Sequence, residues 1–299
     1  CNPRGSPSAE GRGEELIPRP VTDRGERIIS TRDIKFTYEN GPEALRGINL
    51  DIRSGEYVAL VGGNGSGKTT LAKHMNGLLR PSSGSVEVLG KPSRDRTVAE
   101  LSRIVGMVFQ NPDHQLFCSS VDDELAFGPR NVGCRPEEVG RRVEYALELM
   151  DLRGIRSEPP LSLSLGDRRK VSIGSVIAMD PKVLILDEPT MGLDASQSRD
   201  LMSVIRKLND DGHTIILITH EMKLVAEHVD RVIVMANGRT MLDTDAKGAF
   251  TDLAILGQSK LVPPPVSKLA HRLADHGVSK DVLSPEELVF ELMRLRGGR

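Results

Sequence analysis

Directly after the apolar run 57–61 comes Gly62-Gly63-Asn64-Gly65-Ser66-Gly67-Lys68-Thr69-Thr70, nine residues of which four are glycine. Glycine loses more backbone freedom on ordering than any other residue, so a segment this rich in it is kept where a bare backbone is needed. The pattern is G-x-x-x-x-G-K-[ST] in a strand–loop–helix setting, with the helix starting near Lys68. Consecutive backbone N–H groups and a helix N-terminus make a concave anion site suited to nucleotide phosphates. Lys68 is expected to reach the β- and γ-phosphates and the Thr69 hydroxyl to sit on Mg²⁺, with Gly62, Gly63, Asn64, Gly65, Ser66, Gly67 and Thr70 completing the cradle. The loop implies an α/β fold that holds a nucleoside triphosphate. It leaves kinase, GTPase, helicase and transport motor all open.

At 299 residues the chain can bury one large core, or one core and a small appendage. With 40 basic and 42 acidic residues the formal charge is −2, so no bulk field draws the chain to nucleic acid or anionic lipid. Its three cysteines, Cys1, Cys118 and Cys134, lack metal-ligand spacing and fit a reducing compartment better than a disulfide framework. No apolar stretch approaches the roughly 20 residues that span a bilayer; the longest, 183–186 and 215–218, are strand-length. A membrane role is therefore expected to come through a partner. Residues 1–26, rich in Pro, Gly, Ser and charge, read as a flexible linker or tail. A start at Cys1 instead of Met is expected to mark a fragment or the second half of a longer fused polypeptide.

Short β-rich runs at 28–30, 34–38, 48–52 and 57–61 alternate with turn residues. A helix is predicted over about 68–78, stopped by Gly77 and Pro81, and strands over 85–89 and 104–109. Residues 121–156 have helical periodicity broken at Gly133 and Pro136. A helix near 168–178, a strand at 183–186, a helix at 196–209, a strand at 214–219, a helix at 221–228 and a strand at 231–236 follow. That alternation indicates a parallel sheet with helices on its faces. Pro263-Pro264-Pro265 breaks it, and Ser284-Pro285-Glu286-Glu287 opens a terminal helix. Residues 246–299 thus read as a helical appendage to a domain over 27–245, whose helical part spans about 115–180.

Val183-Leu184-Ile185-Leu186-Asp187-Glu188 is a buried-strand run ending in two carboxylates, delivered to the sheet edge where open α/β folds bind ligands. Asp187 is placed to hold Mg²⁺, and Glu188 to polarise the water that attacks the γ-phosphate as general base. Ile216-Leu217-Ile218-Thr219-His220 repeats the geometry and puts a donor for a γ-phosphate oxygen at the same edge. Gln110 follows the run 104–109 in the same way, with an amide able to touch both Mg²⁺ and the attacking water. Taken singly, each group is ordinary at a strand end. Their company with an upstream phosphate loop favours the catalytic reading.

In chain order the loop at 62–69, Gln110, Leu163-Ser164-Leu165-Gly166-Asp167, Asp187-Glu188, Gly192-Leu193-Asp194 and His220 resemble the ordered motifs of an ABC ATPase domain over about residues 28–245. The resemblance implies a P-loop NTPase fold: a RecA-like parallel sheet core, an N-terminal antiparallel β region and a helical subdomain. It places Tyr38 where the family stacks an aromatic ring on adenine, and Asp194 where an aspartate crosses the dimer interface. It also places Ser164 and Gly166 on the γ-phosphate of ATP held by the opposite subunit. The stretches 109–117, 123–129 and 261–270 look more narrowly like the ATP-binding subunit of energy-coupling factor transporters, the vitamin and cobalt/nickel importers.

That narrower resemblance implies ATP and Mg²⁺, a second ATPase subunit (the same chain or a paralogue), a membrane-embedded coupling subunit and a substrate-binding membrane subunit. It further implies a peripheral position on the cytoplasmic face of the membrane, no nucleic acid, and a C-terminal extension that helps the ATPases pair. The transported substrate is not specified by these residues. One departure stands out: the family's LSGGQ is here LSLGD, with Leu165 for glycine and Asp167 for glutamine. Leu165 restricts the backbone, and the charge of Asp167 is expected to be offset by Arg168, Arg169 and Lys170. The competing class is a soluble ABC ATPase acting on nucleic acid or ribosomes. One such type needs a long coiled coil between the loop and residue 163, where no heptads are sustained. Another carries two ATPase domains per chain; this sequence has one, and its start at Cys1 leaves a fused form open.

Overall fold

The computed structural model describes residues 25–39 and 41–297, so the tail expected over 1–26 lies, but for its last two residues, outside them. Strands β1 (Arg27–Thr37), β2 (Glu43–Arg53) and β3 (Tyr57–Val61) lead into helix α1 (Lys68–Met75). Strands β4 (Ser83–Val88) and β5 (Lys91–Pro92), the short α2 (Val98–Ser102) and β6 (Val105–Val108) follow. Three helices come next: α3 (Val121–Asn131), α4 (Pro136–Leu149) and α5 (Leu165–Ile177). The chain continues through β7 (Val183–Asp187), α6 (Ala195–Asp210), β8 (Thr214–Thr219), α7 (Met222–His228), β9 (Arg231–Ala236) and β10 (Arg239–Asp245). It ends in α8 (Ala246–Thr251), α9 (Leu253–Gln258), α10 (Pro265–Arg272) and α11 (Pro285–Gly297).

Two sheets result. One is antiparallel, in the order β2-β1-β4-β5; the other has six strands in the order β10-β9-β3-β8-β7-β6. In the second, β6 to β9 and β3 run parallel and only β10 is antiparallel, to β9. Strands β3, β7 and β8 are buried at every position, as parallel strands covered on both faces must be. Successive side chains point to opposite faces, so this sheet serves two cores. Val58, Leu60, Ile185 and Ile218 join Leu71 and Met75 of α1 and Ile29, Ile48 and Val88 of the antiparallel sheet. Ala59, Val61, Leu186 and Leu217 join Leu125, Leu147, Ile173 and Ile205 from α3, α4, α5 and α6.

The chain beyond Asp245 attaches in two ways. Phe250 of α8 and Leu256 of α9 are buried in the second core, whereas Ala270, Val278, Val282 and Leu288 form a small core of their own. The turn after α9 also reaches the glycine-rich loop, where the Gly63 N–H donates to the Ser259 carbonyl at 2.8 Å. The fit is close: a Cβ on Gly63 would stand 3.2 Å from both Ser259 O and Lys260 Cβ. Among the described residues no helix is long and apolar enough to cross a membrane.

Besides the short β5 and α2, which the sequence reading did not name, three elements differ from it. The runs 28–30 and 34–38 are one strand, β1, whose register slips between Thr31 and Ile34 around the left-handed Asp33 (φ 44°). Strand β10 was not expected at all. Helix α5 starts at Leu165 and not near Arg168, because Ser164 caps it, its hydroxyl accepting the Asp167 N–H.

Candidate nucleotide site

The phosphate loop leaves β3 and turns into α1 through two glycines, Gly62 and Gly67, that no other residue could replace without a clash. A Cβ at Gly62 (φ 153°) would run into the Met235 carbonyl, and one at Gly67 (φ 103°) would stand 2.7 Å from the Ala44 carbonyl. Asn64 and Gly65 are exposed at the tip, while Ser66 is buried, its carbonyl accepting the Gly238 N–H at 3.1 Å. Lys68 is buried and curls back over the loop, donating to the Gly62 and Gly63 carbonyls at 2.7 and 3.1 Å. Burial pushes its pKa down, against the pull of Glu188 and Asp187.

Thr69 and Asp187, 118 positions apart, meet directly: Thr69 Oγ1 donates to Asp187 Oδ2 at 2.8 Å. Burial pushes the Asp187 carboxyl above its usual range; the Thr69 hydroxyl draws it back, Glu188 adds to the rise, and Lys68 opposes it. A buried carboxylate beside a hydroxyl is a hard-oxygen donor pair that fits Mg²⁺. Among the described residues no cluster of three or more His, Cys, Asp or Glu side chains could hold a metal. Mg²⁺ sites of this type are completed by phosphate and water, with only one or two protein oxygens.

Glu188 has left-handed backbone geometry (φ 47°), which costs a non-glycine residue about 1–3 kcal/mol. Three hydrogen bonds hold it: its N–H to the Ile218 carbonyl at 2.9 Å, Oε2 from Thr219 Oγ1 at 3.2 Å, and Oε1 to His220 Nδ1 at 2.7 Å. A carboxylate only accepts, so Nδ1 carries the hydrogen of that last bond. Glu188 is nearly enclosed while His220 is 59% exposed, which turns the far side of the imidazole toward open space. A further bond, Thr190 Oγ1 to Glu221 Oε1 at 2.8 Å, ties the same two strand ends.

The remaining residues named from the sequence fall into two groups around this cluster. Tyr38 Oη pairs with Thr70 Oγ1 at 3.1 Å, and its ring packs edge-on to Phe36 at 4.8 Å, which sets an exposed aromatic beside α1. The Gln110 amide reaches Met191 Sδ at 3.5 Å and neither Thr69 nor Asp187. Asp194 caps α6, accepting from the Ser196 and Gln197 N–H groups at 2.8 and 2.9 Å, with Gln197 reciprocating on the Asp194 N–H.

The start of α5 touches that same segment. The Leu165 side chain lies over Gly192, and Gly166 is buried against the Gln197 amide. Ser164 Oγ donates to Asp167 Oδ2 at 2.7 Å, so the carboxylate is satisfied within its own turn. Two of the three basic residues expected to offset its charge have other partners: Arg168 pairs with Asp113 at 3.1 Å, and Arg169 is buried on main-chain carbonyls. The sequence reading set Arg169 against the charge of Asp167 and did not place it in the core. The missed signal is helical phase, since 169 lies on the same face as the buried Gly166, Ile173 and Val176.

The sequence profile described as "ABC transporter" matches residues 45–191. An energy-coupling factor transporter ATP-binding protein of Caldanaerobacter subterraneus, EcfA1, is 42% identical over 89% of this chain and 99% of its own length. EcfA of Methanocaldococcus jannaschii is 41% identical over 81% of this chain and 88% of its own. A longer C. subterraneus protein, named as an ABC transporter ATP-binding protein, is 46% identical over 94% of this chain, which spans only 49% of that relative. Among solved structures, CbiO1 of Clostridium perfringens, part of the transporter complex CbiONQ, superposes with a TM-score of 0.70 at 36% identity, covering 84% of this chain and 98% of that one. A dimeric ATP-binding cassette in a post-hydrolysis state with ADP and Pi superposes at 0.67, with 25% identity, covering 73% and 99%.

Proposed function

The chain belongs to the ABC transporter family, among the ATP-binding proteins of energy-coupling factor transporters, and from that premise we propose that it is the ATP-hydrolysing motor of an importer for a vitamin or a transition-metal ion. The observation that carries the reading is the convergence of Lys68, Thr69, Asp187, Glu188 and His220 on one edge of the parallel sheet.

The loop amides and Lys68 bind the β- and γ-phosphates of ATP, Lys68 exchanging its contacts with the Gly62 and Gly63 carbonyls for phosphate oxygens. Thr69 and Asp187, with Gln110 drawn in from Met191, would hold Mg²⁺, which when bound would supply charge neutralisation at the phosphates. Glu188 orients and deprotonates the attacking water, and its strained backbone and the His220 contact fix where that carboxylate points. His220 stabilises the γ-phosphate through its exposed ring edge. Tyr38 offers its exposed ring to adenine. Ser164, Gly166 and Asp194 act across the interface with a second ATPase subunit, so hydrolysis requires pairing, and a membrane-embedded partner on the cytoplasmic face turns pairing and separation into transport.

Light scattering on Glu188→Gln, with and without Mg·ATP, tests this. A monomer that becomes a dimer only with Mg·ATP is the expected result. A monomer that stays single at saturating Mg·ATP would overturn self-pairing through Ser164 and Gly166.

A further inference from the structure

Arg169 of α5 is the largest of the fully enclosed side chains, 1% exposed. Among the described residues it makes no ion pair. Its two Nη groups donate to main-chain carbonyls, Nη1 to Phe109 O at 3.0 Å and Nη2 to Gln110 O at 2.6 Å and to Met191 O at 3.4 Å, while Nε is buried without a hydrogen-bond partner among the described residues. Asp187, at the end of β7, is the carboxylate whose charge attracts it. Burying a cation costs several kcal/mol even after the protein relaxes, and an apolar side chain of similar volume is often more stabilising in such a place. Stability alone therefore does not account for an arginine here.

Its three acceptors do. Two belong to the strand end and loop that carry Gln110, and the third to the loop that leads into Asp194. The arginine itself sits one turn beyond Ser164 and Gly166. Outside this contact, Gln110 is exposed and its side chain meets the 189–194 loop only through Met191 Sδ at 3.5 Å. A planar fork reaching both loops fixes their separation in a way a single flexible contact cannot.

We infer that Arg169 is a positioning residue for ATP hydrolysis: its guanidinium clamps the Gln110 loop to the 189–194 loop from the first turns of α5, so that all three move as one unit. The inference rests on the ATPase reading for its kinetic consequence. The clamp itself is measurable without turnover.

The test uses the full chain carrying Arg169→Met, which keeps the volume, and Arg169→Lys, which keeps the charge without the fork. Turnover by Arg169→Met should fall about 10- to 100-fold, the size of effect a small misplacement of a reacting group produces, with KM for ATP within about threefold of the parent. Arg169→Lys should recover part of that loss. In a Gln110→Ala background the cost of Arg169→Met should shrink to less than about twofold, because residues acting through one another are not additive. Amide hydrogen exchange at 109–112 and 189–194 should quicken together in Arg169→Met, with α1 unchanged. Additive kinetic costs, or quickening of one loop without the other, would overturn the clamp. A parent chain without turnover would defeat the ATPase reading instead, and the exchange data would still decide the clamp.

Discussion

Glu188 shows how much of the chemistry rests on single residues. A glutamate held in left-handed geometry, its N–H on Ile218 and its carboxylate on Thr219 and His220, is oriented as the general-base role proposed for it requires. Glu188→Gln keeps the acceptor oxygen and should retain ATP binding while losing about 10²–10⁴-fold in turnover; nucleotide binding and steady-state hydrolysis on one preparation separate the two effects. Asp167 makes a second case, since its carboxylate occupies the Ser164 hydroxyl that a neighbour's phosphate would use. Asp167→Asn lifts the charge at constant size and should raise ATP-driven pairing at least about threefold, roughly the worth of one weak hydrogen bond. Sedimentation across an ATP titration reads it, and an unmoved midpoint would mean that the hydroxyl reorients freely. Glu188 is legible because it follows a buried strand, and Asp167 only through the resemblance of LSLGD to the family's LSGGQ. The backbone strain of Glu188 and the burial of Arg169 are not, because both depend on how distant segments close around them.

At the level of elements, the buried parallel strands read clearly because β3, β7 and β8 are unbroken apolar runs. Strand β10 escaped because it lies at the sheet edge with no fully buried position, and Arg239-Thr240-Met241-Leu242-Asp243 carries little apolar signal. What fixes it is pairing with β9 and the fork of Arg231 onto Asp243, at 2.7 Å through both Nε and Nη2. Helix α6 is closed by a capping box, with Asp194 and Gln197 exchanging bonds. Asp194→Ala should cost about 1 kcal/mol of stability in the nucleotide-free chain, read as a lower urea midpoint at unchanged slope. That separates the cap from any role at a dimer interface, which nucleotide-free monomer does not use.

Over the whole molecule, the two faces of the parallel sheet divide the labour. One is closed by α1 and the antiparallel sheet, the other by α3 to α9, and the proposed catalytic edge lies where both end. Phe250 roots the C-terminal extension in the second of these cores. Phe250→Ala should therefore cost about 3–5 kcal/mol and lower the melting temperature of the ATPase core along with the extension; an unchanged core transition would show that the two unfold separately. The sequence marked a change of character near residue 245 but gave no sign that the chain comes back to the glycine loop, since a main-chain contact between Gly63 and Ser259 leaves no side-chain pattern. That contact forbids proline at position 63, which has no N–H to give. It also makes influence run both ways, because coupling between two sites is reciprocal. Any nucleotide that stiffens the Gly63 peptide stiffens the hold on Ser259, and any neighbour that tugs at the extension is felt at the phosphates by the same factor.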